Sequence, residues 1–145
     1  MAINKDLLAF CGLYCGDCPA YKGEIADLSG NLRQKLQEQD FDRVSQVLSE
    51  AEKGYKNYPQ FSKVLDLLVN LRCKKSCRER VEPTSCLMRE CCLEKGIKGC
   101  WECEEFETCT KLDSLKPLRK DAHIQNLMII KKKGVEDFLK GKRHW

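Results

Sequence analysis

Nowhere in these 145 residues do apolar side chains run unbroken far enough to cross a bilayer, and 33% of the residues are charged, so a membrane-spanning helix is excluded. β-Branched residues are scarce too. Valine, isoleucine and threonine together number 15 against 18 leucines, a balance that suits helices better than pleated surfaces. The expected fold is mainly α: a helical bundle with an irregular cysteine-rich lobe and little or no sheet. Only two histidines are present. His123 stands one turn before Leu127 and reads as a border residue of a helix, and His144 lies near a terminus expected to fray. No Ser-His-Asp arrangement, phosphate loop or paired acidic site is legible, so the sequence assigns no catalytic residue and leans away from an enzyme. The opening residues, Met1 to Phe10, lack the long apolar stretch and small-residue cleavage site of a secretion signal. The expected compartment is therefore the cytosol.

What the chain does have is cysteine, eleven in all. In a reducing compartment, thiols clustered at short spacing bind metal or do redox chemistry more often than they form disulfides. The odd number points the same way, because complete pairing within one monomer leaves one thiol over. Cys11, Cys15 and Cys18 form a first block. Cys73, Cys77, Cys86, Cys91, Cys92, Cys100, Cys103 and Cys109 form a second.

The stretch between the blocks has helical spacing. Leu32 and Leu36 sit one turn apart, and Val44, Val47, Leu48 and Ala51 repeat at helical intervals up to a stop at Gly54. Pro59 suits the first turn of a further helix that buries Phe61, Val64, Leu65, Leu68 and Leu71. Inside the second block a short helix is expected from Ser85 as N-cap to Gly96 just past its end, with Cys86 in its first turn. After Pro117, Ile124, Leu127 and Met128 form a stripe, Gly134 breaks it, and Val135, Phe138 and Leu139 close the chain helically. The length suits one domain, residues 1–145, in which a helical scaffold (about 19–72 and 117–140) carries a cysteine-rich lobe (about 73–112) and an N-terminal knuckle at 11–18.

Two Cys-x-x-Cys pairs stand out, Cys15-Gly-Asp-Cys18 and Cys100-Trp-Glu-Cys103. That spacing turns two sulfurs toward one ion while intervening backbone N–H groups can hydrogen-bond to them, as in zinc knuckles and iron–sulfur sites. Residues 72–114 hold few aliphatic side chains. A thiolate-bound zinc there supplies folding energy on the order of 10 kcal/mol that a core of this composition does not. The first block offers three thiols, so a four-coordinate site built on it draws a ligand from the second. Each zinc held by four thiolates carries a charge of −2, and two such sites would bring the formal +4 to zero. Lys74, Lys75, Arg78, Arg80, Arg89, Lys95 and Lys98 can screen those centres without implying nucleic acid. The basic tail from Lys131 to Trp145 likewise reads as solvated surface and helix-dipole complement. Cys92 follows Cys91 directly, points to another side of a helix, and reads as a small buried hydrophobe.

Cys11-Gly-Leu-Tyr-Cys15-Gly-Asp-Cys18-Pro-Ala-Tyr21 resembles the signature of a family of small uncharacterised cysteine-rich proteins from bacteria and archaea, described as zinc-binding. Cys73 and Cys77, Cys86-Leu-Met-Arg-Glu-Cys91, Cys100-Trp-Glu-Cys103 and Cys109 are similar to its later landmarks. The resemblance implies one or two zinc ions held among Cys11, Cys15, Cys18, Cys73, Cys77, Cys86, Cys91, Cys100, Cys103 and Cys109, with Cys92 outside the set. The Cys73-Lys-Lys-Ser-Cys77 pair is one residue wider than the family's. It implies no activity.

The expected function is therefore that of a zinc-stabilised binding or adaptor module. A protein partner is left open, nucleic acid is not expected, and no membrane is involved. The alternative is an iron–sulfur or thiol-redox protein. Cys18-Pro19 echoes the proline that follows a ferredoxin cysteine. The Cys11-x-x-x-Cys15-x-x-Cys18 spacing is similar to that of radical S-adenosylmethionine enzymes, but the chain has neither the length nor the strand pattern for their barrel. Neither Cys-x-x-Cys pair follows a strand as a redox pair usually does.

Overall fold

The computed structural model describes residues 3–80 and 86–145. Among them there is no named strand, and helices and single 3-10 turns carry the fold, as the composition predicts. The expected N-cap at Ser85 falls outside the described residues. The chain divides into two compact units, one of residues 19–73 and one of residues 1–18 with 74–145.

The unit of residues 19–73 contains α1 (Pro19–Lys22), α2 (Glu24–Glu38), α3 (Phe41–Ala51) and α4 (Tyr58–Val69). Left-handed residues at Gly23 (φ 74°) and Asp40 (φ 48°) separate the first three, and Pro59 lies in the first turn of α4, as its fixed φ favours. α2 packs against α4, and Arg33 reaches Asp66 across that pair at 3.2 Å. Arg72 meets Asp27 and the Gly23 carbonyl, and the Cys73 amide donates to the Ala20 carbonyl at 2.9 Å, tying the two ends of the unit together. The apolar stripes are less buried than their spacing predicts. Leu65 is buried, but Phe61, Val64, Leu71, Val47 and Leu48 are exposed. A layer of three longer helices has few inward positions to offer, and small residues such as Ala26, Ser29 and Ser45 take them.

The other unit is built around its own N-terminal segment. Residues 8–15 are buried without interruption, in a tight reversal where the Ala9 amide donates to the Leu13 carbonyl (2.8 Å) and Leu8 bridges Tyr14. Such a run has no helical period, so no local sequence pattern marks it as core. Around it lie α5 (Leu87–Lys95), α6 (Thr110–Asp113), α7 (Lys116–Arg119), α8 (Ala122–Lys133) and α9 (Val135–Lys140). Phe10, Leu13, Met88, Phe106, Leu112 and Leu127 make one buried cluster, and Leu8, Tyr14, Ile130, Phe138 and Leu139 a second. In the α8 stripe Leu127 is buried and Met128 is exposed. α5 ends at left-handed Gly96 as expected, while Cys86 is its N-cap residue, one position ahead of the first turn.

Two expectations need correction here. His123 is no border residue: it is fully buried, and neither ring nitrogen has a hydrogen-bond partner among the described residues. Burial holds its pKa below the ordinary histidine value, so the ring is neutral. The C-terminus is also held rather than frayed. The buried Asn126 amide donates to the carbonyls of Gly12 (3.0 Å) and His144 (2.8 Å) and accepts from the His144 amide (2.9 Å). Arg143 grips the Asp17 carboxylate through two nitrogens, at 2.6 and 3.0 Å, and lies over the Tyr14 ring. Trp145 stacks against Arg119. No helix among the described residues is long and apolar enough to cross a membrane.

Candidate metal centre

Both Cys-x-x-Cys pairs sit on single 3-10 turns, Cys15–Asp17 and Cys100–Glu102, closed by the amides of Cys18 (onto the Cys15 carbonyl, 3.0 Å) and Cys103 (onto the Cys100 carbonyl, 3.1 Å). The turns bring each pair's two sulfur-bearing residues to one side of a short loop, the arrangement of a metal knuckle. The Cys100 amide donates to the Phe10 carbonyl at 2.8 Å, anchoring the second knuckle on the buried N-terminal segment.

The first thiol group gathers around Cys15. Its sulfur accepts the Cys77 amide at 3.2 Å, so a residue of the first block touches one of the second. The Cys15 and Cys77 side chains also share a hydrogen bond. That bond, reinforced by Arg80, Arg89 and Arg119, lowers the Cys77 thiol to about 6, and the same bond together with burial pushes Cys15 upward. Cys11 is pushed up to about 12, first by burial and then by neighbouring Cys77 and Cys86. Cys18 is half-buried and closes the knuckle turn. Cys73 belongs to the other unit, at its C-terminal end.

Arg78, next to Cys77, clasps this region. Its Nε donates to the Leu8 carbonyl and its Nη2 to the Lys98 carbonyl, both at 2.9 Å, while the guanidinium lies 4.1 Å from the centre of the Phe10 ring. One side chain thus joins the chain before Cys11 to the chain before Cys100. Nothing in the sequence distinguishes it from the other basic residues among the cysteines.

The second thiol group lines a cavity of about 300 Å3 whose walls include Cys91, Cys92, Cys100, Cys103 and Cys109 together with Phe106. α5 supplies the first two, the 3-10 turn the next two, and Cys109 is the residue from which α6 starts. The Cys92 and Cys100 sulfurs are 3.7 Å apart, with both residues buried. That contact lowers Cys92 and, with burial, raises Cys100. Lys95 donates to the Cys103 sulfur at 3.5 Å, and Lys111 hydrogen-bonds to Cys91; each lysine is raised chiefly by its sulfur partner. Cations on sulfur are what a group of thiolates needs.

Cys11 lies near Cys77 and Cys86, and Cys91, Cys92, Cys100, Cys103 and Cys109 line the cavity, but the two groups adjoin: Cys11 also raises Cys100 and shares its buried cluster. Among the described residues no three donor side chains converge closely enough to hold an ion as they stand.

A mainly helical chain with eleven cysteines, whose two Cys-x-x-Cys pairs sit on 3-10 turns, is a cysteine-rich helical protein. More particularly, residues 7–114 match the family described as a protein of unknown function (DUF3795), and the chain belongs to that family. This agrees with the resemblance to an uncharacterised family, whose description names neither metal nor activity. No curated protein and no solved structure matches the chain.

Proposed function

We propose that the chain is a zinc-binding protein whose metal sites are structural, acting as a binding or adaptor module. The observation that carries this reading is the presence of five cysteines in the wall of one cavity, with lysines bonded to two of them. Thiolates are soft ligands, and a donor set of sulfur alone suits zinc or an iron–sulfur cluster over magnesium or calcium. Cys91, Cys100, Cys103 and Cys109 supply the four donors of a closed tetrahedral site. The other site draws four donors from among Cys11, Cys15, Cys18, Cys77 and Cys86, of which Cys11 and Cys15, both raised, lose their protons on binding if they are used.

Bound zinc would supply the cross-link that the loop from Gly96 to Cys109 lacks, because that loop has no regular helix longer than one 3-10 turn. The protein's own contribution is to place the sulfurs, through the Cys100–Phe10 backbone bond and the Arg78 clasp, and to balance their charge with Lys95, Lys111 and the arginines near Cys77. Elemental analysis of protein purified without added metal tests the reading. Zinc in a colourless sample is expected; iron with acid-labile sulfide and broad absorbance near 400 nm, a region set by the cluster's sulfur-to-iron bands, would replace it with the cluster alternative.

A further inference from the structure

A tetrahedral ion takes four thiolates, and the cavity offers five. The surplus sulfur is Cys92, only 1% exposed, seated on α5 directly behind the Cys100 knuckle. Its sulfur is 3.7 Å from that of Cys100. We propose that Cys92 and Cys100 form an oxidation site: a hydroperoxide converts the pair to a disulfide, which removes Cys100 from the metal and releases the ion. The inference rests on the zinc reading of the same cavity.

Geometry carries the pairing. A disulfide needs its sulfurs at about 2.05 Å, so the two must close by about 1.6–1.7 Å, a movement within reach of side-chain rotation. The connecting chain is short and already folded back. The Ile97 amide donates to the Cys92 carbonyl at 3.0 Å, and left-handed Gly96 makes the reversal that returns the chain toward the cavity. Little loop entropy remains to be lost on closure. No other pair of cysteines in this cavity has its sulfurs in hydrogen-bond contact among the described residues. Of the two, Cys100 is the more exposed at the cavity wall and meets the oxidant first.

The electrons balance in two steps. The Cys100 sulfur attacks a peroxide oxygen; the S–O bond forms, the O–O bond breaks, and the departing hydroxide or alkoxide takes up a proton. The Cys92 sulfur then attacks the Cys100 sulfenic acid, forming the S–S bond and expelling hydroxide, which takes the Cys92 proton as water. Two sulfurs have lost two electrons and the hydroperoxide has gained them. The ion is left with three thiolates, an open site from which it dissociates far more readily.

The test treats zinc-loaded full-length protein with hydrogen peroxide, follows released zinc with a chromogenic chelator, and maps thiols by alkylation and peptide mass spectrometry. A Cys92–Cys100 disulfide should accumulate in step with release of one zinc per chain, and dithiothreitol should restore binding. C92A should load zinc like the wild type and release it at least tenfold more slowly. Release from C92A at the wild-type rate overturns the inference, as does wild-type protein that loses zinc with Cys92 still a free thiol. Because the mapping is done on unmutated protein, it decides the matter even if C92A folds poorly. In either of those results the zinc reading survives. A wild type that takes up no zinc overturns that reading and the release with it, whether or not the disulfide forms.

Discussion

Replacing Arg78 by alanine should destabilise the unit of residues 1–18 and 74–145 by about 3–4 kcal/mol. The guanidinium makes two hydrogen bonds to carbonyls, one to Leu8 within the buried segment and one to Lys98 nearer solvent. A charged donor to a half-buried carbonyl is worth about 2 kcal/mol, and the more exposed bond about 1. Stacking at 4.1 Å over Phe10 adds about 0.5–1 kcal/mol. Arg78→Ala also leaves the Leu8 carbonyl without its donor, which keeps the total at the upper end. Arg78→Lys retains the charge but not the fork, so it should recover no more than about half of the loss. The assay is denaturant unfolding of the two variants and the parent, followed by the fluorescence of Trp101, which lies 5.9 Å from the guanidinium, with metal content held fixed. A loss below about 1 kcal/mol for Arg78→Ala, or full rescue by lysine, would refute the clasp.

Other outcomes follow from the same geometry. Gly12 has φ +85°, and a Cβ there would sit 2.9 Å from Leu127 Cδ2 and 3.3 Å from the His123 carbonyl, so Gly12→Ala should cost about 2–4 kcal/mol in a melting experiment. Gly96→Ala, also left-handed but facing open space, should cost about 1. In metal-free, reduced protein, Cys77 should alkylate with a midpoint at about pH 6 while Cys11 stays protonated up to about 12. The signs are opposite: Cys77, lowered, contributes stability that is complete above pH 9 and lost as the pH falls through 6, whereas Cys11, raised, contributes stability that is present below pH 9 and lost as the pH rises toward 12. Urea midpoints measured across both ranges check the slopes. Stripping metal with a chelator should expose the amides of 87–114 to hydrogen exchange while α2 and α4, which carry no cysteine, keep their protection; uniform loss of protection would contradict a metal confined to the thiol groups.

The helices were legible because their signals are local. Leucine spacing, Pro59, Gly96 and Gly134 fall where α4, α5 and α8 begin or end. Burial was less legible, since it depends on what lies opposite: Phe61 and Val64 share a face with Leu65, yet only Leu65 is covered. The core segment of residues 8–15 had no period to detect because it is a reversal of extended chain. In the candidate site, the Cys-x-x-Cys spacing coincides with the two 3-10 turns, while the thiol count of the first block named no particular partner from the second. The division of the second block could not be read, because it depends on which side of α5 each sulfur leaves. Cys92 was expected to pack and is buried as expected, but it packs sulfur against sulfur beside Cys100. Asn126 links tail residue His144 to Gly12, and Arg143 links the tail to Asp17, residues more than 100 positions earlier, for which no local pattern exists.

Sulfur ligation of a bound ion is the central property proposed for this protein. X-ray absorption at the zinc edge of the purified protein measures it directly. The prediction is a first shell of four sulfurs at about 2.3 Å and nothing lighter. A shell dominated by nitrogen or oxygen, or a protein without zinc, would contradict it.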